Sequence, residues 1–393
     1  MKITNSKNQS DFELKELKIR HFKGRVFKFI CSFALLFCVG FLAIFLYKVA
    51  SLGAGAFSTY YLKQEILITE NLLNNPRDAL PRQLHGIVSR AWFWEFGNFL
   101  QENKNLINTK REFEILLNAN AKQYLKNQTS KLSAKNMQLL DELREKGLIV
   151  SKFNKEFFLN GDSKIPEAAG VLSSIVGTML TMFVAMVTSV PIAIASAIYI
   201  EEFLKDGKFK SILQVNINNL AAVPSILFGL LGLGVFVNLF GLARGSALAG
   251  GLTLSLMSLP IVIVSTTAAL KAVPNSIRQA GMALGISKVD VVKDHVLPSA
   301  FGGILTGSIV SLAQIIGETA PLIIIGMIAF VPQTPTSLSD ATTVIPAQIF
   351  SWASMPEFAY VERTNAAILV LLALLLVMNL VAFYLRKKYQ KKG

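Results

Sequence analysis

Six long apolar runs limit this chain to one kind of fold. They are Phe29 to Tyr47, Ala168 to Ile200, Ser211 to Ala243, Gly245 to Leu270, Ser299 to Phe330 and Thr364 to Leu385, and only the fifth holds a charged residue. A bilayer-spanning helix needs about 20 consecutive, mainly apolar residues. Lipid offers no hydrogen-bond partner to the backbone, so each run must satisfy its own amides as a helix. Apolar residues make up 52% of the chain and charged residues 16%, which also points to a membrane protein. The expected fold class is an all-α integral membrane protein with six transmembrane helices. Lys and Arg precede the first run, as in a secretory leader. The run exceeds a leader's apolar core, and Ser51-Leu52-Gly53-Ala54 is a poor cleavage site, so a retained anchor is expected.

Charge sets the orientation. With the amino terminus inside, the cytoplasmic pieces 1–28, 201–210, 271–298 and 386–393 carry 20 Lys and Arg, against 2 (Arg244 and Arg363) in the short outer loops. That is a strong positive-inside bias. The net charge of +14 then reports contact with anionic membrane lipid, and nucleic acid is not an expected partner. The domains follow: a basic cytoplasmic amino terminus over 1–28, helix 1 over 29–51, an extracytoplasmic insert over 52–165, a five-helix core over 166–388 and a cytoplasmic tail over 389–393.

The insert holds 16 basic residues, which do not oppose this topology because long loops translocate regardless of charge. Within it, Lys110 to Lys146 has Phe113, Leu116, Leu117, Tyr124 and Leu125 at roughly helical spacing, and a helix is expected there. Asn127-Gln128-Thr129 and Asn160-Gly161-Asp162 are expected breaks. A helical cap and a docking platform for an external binding protein both fit this pattern. Cys31 and Cys38 lie two turns apart in the first run, where they cannot bridge and are expected to act as small buried hydrophobes.

Glu318 stands in Ile315-Ile316-Gly317-Glu318-Thr319-Ala320-Pro321, inside the fifth run. An ionisable group at membrane depth is costly unless it faces a cavity or a partner. Gln314, four residues earlier, would share its helix face, so Gln314, Glu318 and Thr319 form a candidate pathway or pairing stripe. A plain interhelical bond is the structural alternative. Prolines 191, 224 and 260 are expected to interrupt their runs, and Gly303-x-x-x-Gly307 and Ala249-Gly250-Gly251 are expected packing faces. No phosphate-binding Gly-rich loop, nucleophile elbow or metal-ligand spacing occurs. No catalytic or metal-binding residue is therefore expected, and no cofactor on this chain. Uphill transport would then need an ion gradient or a partner ATPase.

The polar segment from Val273 to Pro298 favours the partner. It has helical spacing, a break at Gly285 and a Leu297-Pro298 boundary. Gln279-Ala280-Gly281-x3-Gly285-x9-His295-x-Leu297-Pro298 resembles the cytoplasmic loop of ABC-importer permeases, whose pattern is Glu-Ala-Ala-x3-Gly-x9-Ile-x-Leu-Pro. Gln279, Gly281 and His295 depart from it. Pro166 to Gly170, Ala197 to Phe203, Asn219 to Ile226, Ile316 to Leu322 and Gln348 to Ala353 are similar to the phosphate permeases of the PstA type, many of which carry Arg at the position of Gln314.

The resemblance implies the type I importer permease fold. It implies that Gln279, Ala280, Gly281, Leu284, Gly285, Leu297 and Pro298 form a coupling loop seated on a dimeric ATP-binding subunit, which would hold ATP and Mg. It also implies a second phosphate permease subunit, an external phosphate-binding protein and inorganic phosphate as solute. A permease for molybdate or sulfate would share the loop but lack the Gly-Glu-Thr-Ala-Pro and Gln-Ile-Phe-Ser-Trp stretches. A gradient-driven carrier would show inverted repeats, and none is seen.

Overall fold

The computed structural model describes residues 3–128 and 130–390, and it divides the chain into two units, 1–52 and 53–393. The first is the helix α1 (Ile3–Gly53). Its apolar stretch is long enough to cross a membrane. Cys31 and Cys38 are exposed on it, which corrects the expected burial: the apolar side chains around them, Phe33 and Phe37 among these, are exposed as well. Thr129 of one expected break, and residues 391–393 of the expected tail, lie outside the described residues.

The second unit begins with a folded insert. A three-stranded antiparallel sheet, ordered β2-β1-β3, joins β1 (Ser58–Leu67) to β2 (Lys110–Leu116) and β3 (Ile149–Phe153). Its three longer helices are α2 (Arg90–Glu102), α3 (Ala119–Leu125) and α4 (Ala134–Glu145). Leu62 pairs with Ile115 on one side and Ile149 on the other. Its side chain enters a core with Ile66, Trp92, Phe96, Leu117 and Leu140. Trp92 stacks on Phe96 at 4.8 Å, and Phe96 meets the Phe113 ring edge-on at 5.2 Å.

The helix expected from Lys110 is therefore partly a strand. Glu112-Phe113-Glu114-Ile115 alternates with period two, and the pairing of Gln64 with Phe113 and Glu65 with Glu112 uses that alternation. Helices begin at Ala119 and Ala134. Asn118 and Ser133 cap them, each side chain accepting from the backbone N–H three residues on.

The insert is fastened to the core by polar contacts along one seam. Lys126 donates to the Gly55 carbonyl at 2.6 Å and to Glu362 Oε2 at 3.0 Å. The segment 154–170 is held by Asn154 to the Ala56 carbonyl (2.9 Å), Trp352 Nε1 to Asp162 (2.9 Å), Tyr360 to the Ser163 carbonyl (2.8 Å) and Arg363 to the Ala169 carbonyl.

The core comprises α5 (Leu172–Ile198), α6 (Lys208–Ala221), α7 (Ser225–Gly232), α8 (Ala247–Lys271), α9 (Asn275–Ala283), α10 (Leu297–Ile315), α11 (Ile345–Ala353) and α12 (Phe358–Gln390). Among the described residues, five helices of the chain are long and apolar enough to span, and six if one bent pair counts as a span. The bent pair replaces the expected run Ser211 to Ala243: it turns by 97° between Ala221 and Ser225. Pro224 caps the second half in extended conformation (ψ 134°), and a proline disfavours helix in the residue before it. Pro191 and Pro260 lie inside α5 and α8, which continue as helix on both sides of them.

The fifth run is also shorter than expected. α10 stops at Ile315, a short helix spans Ala320–Ile324 with proline in its first turn, and irregular backbone leads to α11. Ile315, Leu322, Ile325, Met327 and Ala347 pack with Met182, Phe228 and Leu254 in the central core, so one side of this broken segment is buried in protein, where irregular backbone is tolerated in membrane proteins. The small-residue faces serve packing: a Cβ on Gly251 would lie 2.5 Å from the Val184 Cβ, and one on Gly307 2.0 Å from the Ser265 hydroxyl. Between α5, α8 and α10, Ser258 bridges Ser189 at 3.1 Å and Ser311 at 2.7 Å.

Candidate functional site

The segment between α8 and α10 folds as the sequence pattern requires. Pro274 precedes α9, which ends at Ala283. Gly285 follows with φ +77°, a left-handed conformation that glycine adopts without steric cost. A one-turn helix (Lys288–Val291) and a wide π-helical turn (Val292–Val296) lead directly into α10. Leu297 and Pro298 therefore lie where the wide π-helical turn passes into the span.

Of the predicted loop residues, Gln279, Ala280, Leu284, Gly285 and Pro298 are exposed, Leu297 is half-buried and Gly281 is buried. Leu284 is 80% exposed, and Met282 and Val289 of the same segment are exposed too, so the segment presents apolar side chains without a partner among the described residues. Its inner side packs: Ile277, Ile286 and Leu297 flank a cluster of Leu270, Val273, Val291 and Val296. Gly281 closes against Val291, whose Cγ2 lies 2.7 Å from where an alanine Cβ would sit. That contact explains why the chain departs from alanine at this position.

Sequence reasoning missed the residue that anchors the segment. Arg278 turns inward and donates from Nε and Nη2 to the Glu202 carboxylate, at 2.6 Å for the shortest contact. It also donates to the carbonyls of Val273 (2.7 Å) and Leu270 (2.9 Å). The Glu202 bond holds the Arg278 guanidinium above its ordinary pKa. Glu202 belongs to the π-helical turn Tyr199–Phe203 that ends α5. Its neighbour Glu201 stands 3.7 Å from both Lys210 and Lys271. Asp206, held below the usual carboxylate range by Lys210, lies nearby. A cleft of roughly 560 Å³ opens among Glu201, Lys205, Asp206, Lys210, Lys271 and Arg278. The available signal was the pair Glu201-Glu202 closing an apolar run, with Arg278 immediately before Gln279.

The second predicted group lies at the other end of α10, about 27 Å away at 1.5 Å per residue. Gln314 is exposed in the last turn, while Glu318 and Thr319 are half-buried in the break beyond it. The Glu318 N–H donates to the Ile315 carbonyl at 3.2 Å. The expected shared helix face is thus corrected: the helix ends between Gln314 and Glu318. Among the described residues the Glu318 carboxylate meets no cation at ion-pair distance. No three His, Cys, Asp or Glu side chains among the described residues gather as a metal site.

Residues 189–392 match the family described as the binding-protein-dependent transport system inner membrane component. Residues 14–82 match a domain of unknown function, DUF3333. A probable ABC transporter permease protein, YqgI, of Bacillus subtilis is 26% identical over 257 residues, covering 62% of this chain and 86% of the relative. The phosphate transport system permease protein PstA of Mycobacterium leprae is 32% identical over 214 residues, covering 54% and 69%. PstA 1 of Mycobacterium tuberculosis is 30% identical over 225 residues, covering 56% and 73%. The family match covers just over half of the chain and includes α8, the anchored segment and α10 to α12. With its mostly helical fold and type I permease architecture, this chain belongs to the binding-protein-dependent transport system inner membrane components, as an ABC permease of the PstA type.

Proposed function

We propose that this chain is the transmembrane permease subunit of an ATP-driven importer of inorganic phosphate. The observation that carries the reading is the exposed patch of Met282, Leu284 and Val289 on a segment anchored from within by Arg278. An apolar surface rimmed by polar groups marks a protein contact. Its place between two spans suits an ATP-binding subunit, which would hold ATP and Mg while this chain holds no cofactor. Phosphate as solute is supported by the names of the relatives. A second phosphate permease subunit and an external phosphate-binding protein complete the proposed assembly, with this chain multi-pass in the bacterial cytoplasmic membrane and both termini inside.

In this reading closure of the ATPase pair moves the segment around Gln279 to Gly285, and the pathway alternates between outward and inward access. Glu318 does not bind a phosphate dianion directly, since like charges repel. It pairs with a basic group of the second permease. The insert's folded core suits an outer docking platform for the external binding protein. The test is purification of the tagged chain in mild detergent, with identification of what accompanies it and assay of phosphate-dependent ATP hydrolysis. An ATP-binding subunit, a second permease and phosphate-stimulated hydrolysis are expected. The chain recovered alone, without hydrolysis under any extraction condition, would refute the reading.

A further inference from the structure

Two adjacent glutamates close α5, and each gathers different elements. Glu202 is 5% exposed at its side chain and Arg278 17% exposed. Both Glu202 oxygens accept from Arg278. The same guanidinium caps α8, whose closing carbonyl at Leu270 it satisfies together with Val273 of the linker. A cation at a helix C-terminus is favoured there. One planar group thus ties α9 to the ends of both α5 and α8. Glu201 is bound differently. Its Oε2 is buried without a hydrogen bond and lies 3.7 Å from the ammonium groups of Lys210 on α6 and Lys271 on α8.

We propose that the Glu202–Arg278 pair is the joint that carries movement of α9 into α5 and α8, with both residues positioning residues for the coupling of ATP hydrolysis to transport. This rests on the importer reading above. Parting a buried, hydrogen-bonded charge pair leaves an uncompensated charge and is strongly unfavourable. A displacement of α9 therefore drags the ends of α5 and α8 with it. The longer Glu201 contacts give little resistance, so α6 slides while α5, α8 and α9 move together. The segment is held by its apolar cluster of Val273, Val291 and Val296 with Ile277 and Ile286 as well as by Arg278, so loss of the joint leaves the docking surface folded. Coupling and docking are separable on this geometry.

The test uses the whole complex in lipid vesicles, with inorganic phosphate uptake and ATP hydrolysis measured on the same preparation. Glu202→Gln and Arg278→Ala are expected to keep the co-purifying ATPase and to hydrolyse ATP within about twofold of the parent, while phosphate moved per ATP falls about tenfold or more. Arg278→Lys keeps the charge but cannot reproduce the fork, and recovers only part of that ratio. An unchanged ratio in Glu202→Gln would overturn the proposal. So would uptake and hydrolysis falling together, since that is the signature of a merely structural role. Should Glu202→Gln fail to assemble, Glu202→Asp retains the charge at shorter reach, and the same ratio decides. If the unaltered chain neither retains an ATPase nor moves phosphate, it is the importer reading that fails.

Discussion

Removing the Lys126 ammonium should loosen the insert from the membrane core. Lys126 and Glu362 are 12% and 10% exposed and 3.0 Å apart. The other Glu362 oxygen, Oε1, is buried without a hydrogen bond, so Lys126 is the carboxylate's direct donor among the described residues. Lys126→Met therefore leaves a buried carboxylate without its donor and takes one of several donors from the Gly55 carbonyl, which keeps the Ser58 hydroxyl and N–H. Breaking a buried pair costs 3–5 kcal/mol as a rule, and the residual exposure argues for the lower end, about 3 kcal/mol. At 1.4 kcal/mol per factor of ten, the seam should open roughly a hundredfold more often. Hydrogen exchange of the α3 amides reads this directly. Lys126→Met/Glu362→Met, which removes both charges, should recover most of the protection, because replacing both members of a buried pair by apolar groups is close to neutral. Exchange altered by less than about threefold in Lys126→Met would refute the reasoning, as would a double variant no better protected than the single one.

Three further outcomes are expected. Burial pushes the Lys122 ammonium down to about 7, with Arg363 and Lys126 adding to that and Glu167 and Glu156 opposing it. An unfolded lysine titrates near 10.4. The unfolded chain thus binds more protons between those values, and stability should rise with pH across that window and lie flat at its lowest below pH 7. Thermal unfolding at pH 6.5 and 9 checks the rise, which Lys122→Met should abolish. Gly281→Ala should destabilise by about 1–2 kcal/mol through contact with Val291, and Val291→Ala in the same chain should restore the melting temperature. Glu318→Gln should lower phosphate uptake without loss of the partner permease; full uptake with intact assembly would remove the proposed pairing.

Much of the membrane core was legible because lipid simplifies the problem. A charge-free run of sufficient length is stable in lipid as a helix, so α5, α8 and α12 were legible from run length, whereas the run 211–243 bends at Pro224. Gly285 and Pro298 were legible for a related reason, since each acts through its own backbone torsions. The insert was harder. In Lys110–Leu116 the spacing of Phe113, Leu116 and Leu117 fits a helix while Glu112 to Ile115 alternates like a strand, and only pairing with β1 decides between them.

What the sequence by itself determined is the class of protein, the position of its long apolar helices and the place of the anchored segment, because those depend on run length, charge and local torsion. What only tertiary structure decided is where chains of contact close. The fifth run ends at Ile315 because the residues beyond it find partners on α5, α7 and α8. Arg278 matters because folding sets it against Glu202, 76 residues earlier. Lys126 matters because it meets Glu362, 236 residues later. Neither pairing leaves a periodic trace in the chain, since a buried ion pair is made by the meeting of surfaces and not by the spacing of residues along one of them.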